Sequence, residues 1–323
     1  MTEKVTHQDT QILKGLAFLM MLVVHICANQ LDNWVVINGH TLWEYLGKIS
    51  EPVAFFLLLG GYGLYCVREK GDKHRYSRLF RLYIHYWIIL FLFSTVAVLL
   101  MNPTVYPIKV SDFLLNCLSL HFSWNPVCQF LLPYVLLSLL YPVLFKLLDR
   151  FGVVIVGIAT FVLYGIAGSL YGKYGDMLFW EIPERFFFYL FPFMWGACLK
   201  KADVINRLSL KRSVATLLFI ALLVIYSVIH STLFGPFYVL TFVVLFVKLP
   251  SPKLLDLALS KIGDHSMNIW FIHAWSCFIL LKDELYSLKY PVVVLIAVLV
   301  MSYISSIIIN TMTKPIENQL FKQ

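Results

Sequence analysis

The chain has 323 residues, of which 60% are apolar and only 14% charged, with 26 Lys and Arg against 18 Asp and Glu for a net charge of +8. Soluble domains run nearer to about 45–50% apolar and about 25% charged residues. A water-soluble globule is excluded, and so are a disordered chain, a coiled coil and a disulfide-stapled module, which need charge, heptads or dense cysteine missing here. What remains is an all-α, polytopic membrane protein read as one domain over residues 1–323.

Taken in chain order, ten apolar runs approach the ~17–25 residues that cross a bilayer as a helix: 11–29, 50–66, 82–101, 127–148, 152–170, 186–199, 213–230, 233–249, 266–282 and 291–311. The basic residues lie between these runs and form no patch, so nucleic acid is not an expected partner. With the amino terminus inside, the termini and even-numbered loops hold 20 of the 26 Lys and Arg, and the outer loops keep only Lys48, Lys109, Lys173, Arg185, Lys282 and Lys289. That asymmetry is the positive-inside signature. It predicts both termini in the cytoplasm.

The first run follows Lys14, has no small-x-small cleavage site after it and precedes nine more runs, so it reads as a retained helix and not as a signal peptide. It carries His25, eleven residues beyond Lys14. Eleven residues turn a helix by ~1,100° and raise it by ~16 Å, which puts both side chains on one stripe. Run interiors hold no Asp, Glu, Lys or Arg, and the deep histidines are His25 and His273. An ionisable group in hydrocarbon is by default a functional candidate; a hydrogen-bonded neutral histidine and a snorkelling lysine account for the same pattern.

In the second run, Gly60-Gly61-Tyr62-Gly63 suits close helix packing better than phosphate binding. At the entrance of the third, His74, Arg78, Arg81 and His85 are spaced i, i+4, i+7 and i+11 on one face. Two arginines one turn apart make a fork suited to phosphate oxygens, or anchor the helix in the inner leaflet. Trp34, Trp43, Trp124 and Trp180 fall where an aromatic belt forms at the outer interface. Cys117 and Cys128 share an outer loop in which they could pair, but the six cysteines show no metal-ligand spacing, so no metal is expected. Arg185 stands at the outer end of the sixth run beside Glu181 and Glu184, open to an ion pair or to a substrate contact.

Four segments resemble, in order, a known family. Asp9-Thr10-Gln11-Ile12-Leu13-Lys14-Gly15-Leu16-Ala17, running on to His25, is similar to the first helix of the bacterial acyltransferase family three, whose hallmark is Arg or Lys, ten residues, then His. Arg78-Leu79-Phe80-Arg81 resembles its Arg-x-x-Arg, FFLLLGGYGL over 55–64 its FFxxSGY, and IGDHSMNIWFIHAW over 262–275 its Gly-x-x-Ser-x-x-Ile-x-x-x-His. Two departures stand out. Gly60 replaces the serine, and Trp124-Asn125-Pro126-Val127-Cys128-Gln129-Phe130 stands in place of an aromatic Trp-Trp-Phe/Tyr.

The resemblance implies an O-acetyltransferase of the bacterial inner (plasma) membrane. Acyl-CoA, commonly acetyl-CoA, is the implied donor. A cell-envelope carbohydrate or lipid-linked glycan is the implied acceptor. On that reading His25 is the general base and Lys14, Arg78 and Arg81 hold CoA phosphates, with His273, Arg185 and Asn125 as secondary candidates. The alternative is a secondary transporter of a small polar solute, with His25 and His273 relaying protons.

Overall fold

A backbone N–H or C=O in hydrocarbon has no water to bond, so an apolar run must satisfy its own backbone, and the helix does so within one segment. The computed structural model describes residues 6–27, 36–37, 39–101, 109–170 and 178–321, and 84% of the structure is helical. The helices are α1 (His7–Cys27), α2 (Leu42–Lys48), α3 (Pro52–Glu69), α4 (Arg75–Leu100), α5 (Val110–Cys117), α6 (Leu131–Leu170), α7 (Leu178–Lys201), α8 (Val204–Arg207), α9 (Arg212–Ile229), α10 (Gly235–Phe246), α11 (Lys253–Asp264), α12 (Ser266–Ala274), α13 (Lys282–Tyr286) and α14 (Pro291–Phe321). A 3₁₀ segment, Pro126–Phe130, precedes α6, and a π segment, Trp275–Leu280, follows α12. Val36–Ile37 and His40–Thr41 pair as a short antiparallel ribbon. Lys4, Trp34, Lys173, Lys322 and the side chain of Trp180 lie outside the described residues.

Six helical stretches among the described residues are long and apolar enough to cross a membrane: His7–Cys27, Leu42–Glu69, Arg75–Leu100, Pro126–Leu170, Arg212–Ile229 and Pro291–Phe321. The fourth is 45 residues long, about twice what one crossing needs. It bends at Gly152, whose φ of 80° belongs to glycine. The apolar stretches Gly235–Phe246 and Ser266–Leu280 are helical but shorter.

The chain divides into two compact units. The first joins residues 1–21, 44–73 and 133–263, and the second joins 22–43, 74–132 and 264–323. In the first unit α3 and α7 touch backbone to backbone. A β-carbon on Gly61 would lie 1.8 Å from Phe193 O, and one on Gly196 would lie 1.9 Å from Leu58 O. Within the glycine run it is Gly61 that serves close packing. A second reciprocal pair joins α1 to α11: a β-carbon on Gly15 would meet Leu259 O at 2.0 Å, and one on Gly263 would meet Gln11 O at 2.0 Å. Around these contacts Leu13, Phe55, Leu58, Val239 and Phe242 form the buried core.

Polar ties hold the ends of this unit. Asp149 accepts from Tyr65 Oη at 3.2 Å, from Lys201 Nζ at 2.9 Å and from Arg68, which joins α3, α6 and α7. Glu51, at the edge of the second apolar run, is half-buried and accepts from Tyr226 Oη at 2.5 Å. In the second unit α4, α12 and α14 pack together, and Ile269, Ile272, Val294 and Val298 are fully buried.

Trp124 is 3% exposed and packs against Phe113 at 6.0 Å, so it is a core side chain and not part of an aromatic belt. Cys117 and Cys128 are both free thiols, which corrects the possible disulfide. Their loop is ordered instead by hydrogen bonds, with Asn116 Oδ1 accepting from Trp124 N at 3.2 Å and Asn116 Nδ2 donating to Ser123 Oγ at 2.9 Å.

Replacing Gly196 by Val would drive a β-carbon into a carbonyl that cannot rotate away. We expect a loss of at least about 1–3 kcal/mol, read as a lowered midpoint of thermal unfolding in detergent. Gly63→Ala is the control, since nothing lies within 4 Å of its β-carbon, and it should be neutral or slightly stabilising.

Candidate active site

The last two turns of α1 and the α12–π junction both belong to the second unit, and they bring the two deep histidines together. The rings of His25 and His273 stand 5.1 Å apart, tilted by 31°. Their positions within the first and ninth runs put the two histidines at similar depth, where they can face one another, and the tertiary fold pairs them.

His273 is fully buried. Its Nδ1 lies 2.6 Å from Trp270 O and 3.2 Å from Ile269 O. Carbonyl oxygens only accept, so Nδ1 carries a proton. His25 is half-buried, and the edge of Phe278 closes on it at 5.1 Å and 84°. Phe278 sits on the π segment Trp275–Leu280. Such widened turns recur at functional sites, and no periodicity in the sequence announces this one.

Asn125 is 2% exposed, and its Nδ2 donates to Phe271 O at 2.8 Å. Trp270 Nε1 donates to Val127 O at 3.3 Å, and the Phe130 and Trp270 rings pack at 4.3 Å. The divergent segment 124–130 is therefore seated on the helix that carries His273. Asn125 Oδ1 has no hydrogen-bond partner among the described residues.

The expected face of four on α4 is revised by two findings. His74 is the N-cap residue, with non-helical φ −119° and ψ 22°, and so stands outside the helical face. His85 is buried and engaged on both ring nitrogens: Nδ1 lies 2.6 Å from Asn268 Oδ1, and Nε2 lies 2.9 Å from Glu317 Oε1. The amide orientation of Asn268 follows from its Nδ2, which donates to Asn310 Oδ1 at 2.8 Å. His265 extends the network, with Nδ1 2.8 Å from Ser306 Oγ. Arg78 and Arg81 are half-buried in the first two turns of α4.

Lys14 and Arg185 belong to the first unit. Lys14 is half-buried one residue before Gly15, where α1 meets α11. Arg185 donates to Glu181, one turn earlier on α7, so its guanidinium is engaged in an ion pair. Among the described residues no group of three His, Cys, Asp or Glu side chains could hold a metal ion.

Comparison with known families gives the class of the whole chain. The family model described as an acyltransferase domain matches residues 9–311, nearly the whole chain. The chain belongs to the acyltransferase 3 family. No curated protein and no solved structure gave a match. This acyltransferase thus has helices suited to a multi-pass membrane protein, and the carrier alternative gives way. The match contains His25, His273, Lys14, Arg78 and Arg81, and it ends before Glu317. Sequence reasoning missed Glu317 because it lies beyond the last apolar run, where a polar residue reads as solvated tail.

Proposed function

We propose that this acyltransferase moves an acyl group, acetyl in the first instance, from cytoplasmic acyl-CoA to a hydroxyl of a cell-envelope carbohydrate or lipid-linked glycan. The observation that carries this reading is the His25–His273 pair, two imidazoles 5.1 Å apart in a chain of acyltransferase family. His25 is the base. It takes the proton of the acceptor hydroxyl as the oxygen attacks the thioester carbonyl. The C–S bond then breaks, and the thiolate leaves as CoA-SH with that proton, while the acceptor keeps the new ester. Imidazole suits both halves of this transfer at neutral pH. His273, with its Nδ1–H held by backbone carbonyls, supports His25 as a neighbour of fixed tautomer.

Lys14, Arg78 and Arg81 hold the phosphates of CoA, the arginines by virtue of the planar donor fork. Asn125 and Arg185 shape the acceptor side; the buried Oδ1 of Asn125 offers an acceptor for a hydroxyl. The enzyme works as one transmembrane domain over residues 1–323, in the inner membrane of a bacterium. It crosses that membrane ten times with both termini cytoplasmic. Two observations support this topology: each of the ten apolar runs overlaps helix among the described residues, and the basic residues split 20 to 6 between the two sides.

His25→Ala should abolish acyl transfer by at least ~10²-fold while thermal unfolding and membrane insertion stay at wild type. Near-normal turnover of acetyl-CoA in that variant would remove His25 as the base. Arg78→Lys and Arg81→Lys should each raise the dissociation constant for acetyl-CoA at unchanged expression, because an ammonium cannot reproduce the two in-plane donors. A lipid anchor would tolerate the exchange. Reporter fusions after Lys73 and after Lys201 should both score cytoplasmic, and an outside signal at either would reverse the assigned orientation.

A further inference from the structure

The last apolar run ends near residue 311, but α14 continues to Phe321. Its final turns carry Glu317 and Phe321, spaced i, i+4 on one face. Both residues close on Arg81. Glu317 Oε2 lies 4.0 Å from Arg81 Nε, and the Arg81 Cζ stands 4.9 Å from the centroid of the Phe321 ring. The other carboxylate oxygen of Glu317 meets His85 Nε2 at 2.9 Å. One carboxylate thus serves a guanidinium and an imidazole that lie one turn apart on α4, all within the second unit. Glu317 and Phe321 both fall beyond the stretch shared with the family, which ends at residue 311.

We propose that Glu317 is a positioning residue for the acyl donor, acting through Arg81; this inference rests on the reading of Arg81 as a phosphate contact. The Glu317 carboxylate faces the Nε side of the guanidinium at ion-pair distance, with no hydrogen bond to Nε, and the Phe321 ring packs against the same group, so on this inference the remaining Nη donors are the ones left for a phosphate. A long arginine side chain loses rotamer freedom when it is held in one geometry. Where that freedom is removed before the ligand arrives, its loss no longer weakens binding. The ion pair does little for stability, because Arg81 and Glu317 are 33% and 20% exposed and solvent screens pairs of that kind. Its effect lies in geometry. A carboxylate that merely plugged the Arg81 site would compete with phosphate, and its removal would then tighten donor binding.

The test uses the full-length protein in detergent or nanodiscs, with acetyl-CoA and S-acetylpantetheine as probes. S-acetylpantetheine keeps the thioester and lacks every phosphate. Glu317→Gln retains an acceptor oxygen for His85 and removes the charge. It should raise the dissociation constant for acetyl-CoA at least ~5-fold, leave the turnover of S-acetylpantetheine within ~2-fold and leave thermal unfolding unchanged. Glu317→Asp should recover part of the affinity. In combination with Arg81→Lys, Glu317→Gln should add no further loss, because the two act through one contact. Phe321→Leu, a change at the end of the helix, should weaken acetyl-CoA binding in the same direction and stands as the second variant should Glu317→Gln not fold. Unchanged or tighter acetyl-CoA binding in Glu317→Gln, equal loss with both probes, or additive losses in the double variant would each overturn the inference. If Arg81→Lys itself binds acetyl-CoA as wild type does, the donor-site reading fails with it. If Arg81→Lys is weakened and Glu317→Gln is not, only the positioning role fails.

Discussion

Lipid tails are as apolar as leucine, so nothing like the aqueous hydrophobic effect presses one membrane helix against another. What holds the first unit together is contact at backbone distance. Leu58 O and Phe193 O each occupy the space a β-carbon would need on Gly196 and Gly61. Approach this close lets whole helix surfaces share dispersion contacts, each tiny and together large. The same device recurs where α1 meets α11, with Gln11 and Gly15 facing Leu259 and Gly263. Lys14 lies between Gln11 and Gly15 in sequence, so the position of this candidate donor-site residue depends on the close contacts of Gly15 and Gly263.

The second unit uses a different glue. His85, Asn268, Asn310, His265 and Ser306 satisfy one another across α4, α12 and α14. Buried polar groups cost free energy when left unpaired and specify geometry when paired. This network fixes the register of α12 against its neighbours. α12 also carries His273, five residues beyond Asn268. The hydrogen bonds that occupy His85 therefore help to set where the His25–His273 pair forms. His85 itself is taken up by Asn268 and Glu317, which places it in the framework of the site.

The two units divide the candidate residues between them. His25, His273, Asn125, Arg78 and Arg81 lie in the second; Lys14 and Arg185 lie in the first. α1 carries Lys14 in its first half and His25 near its end. The spacing of eleven residues between them is thereby a property of a single continuous helix and needs no loop to preserve it.

Composition alone determined that the chain is α-helical and suited to a membrane, because hydrocarbon leaves the backbone few other ways to satisfy its hydrogen bonds. Spacing along single helices determined the Lys14–His25 stripe and the Arg78–Arg81 pair, since 3.6 residues per turn is a local rule. The order of four weak motifs pointed to the family that the whole-chain match bears out. Local rules end where one helix meets another. The pairing of His25 with His273 joins residues 248 positions apart, and the contact of His85 with Glu317 joins residues 232 apart. The π segment that carries Phe278 leaves no mark in hydrophobic periodicity. Trp124 read as a belt residue because its sequence neighbours form a loop, yet the fold buries it against Phe113. Glu317 follows the last apolar run, where nothing in the sequence sets it apart, and only the continuation of α14 to Phe321 brings it to Arg81 and His85. Which polar side chains face one another is set by helix packing, and packing sums many small contacts distributed over the whole chain.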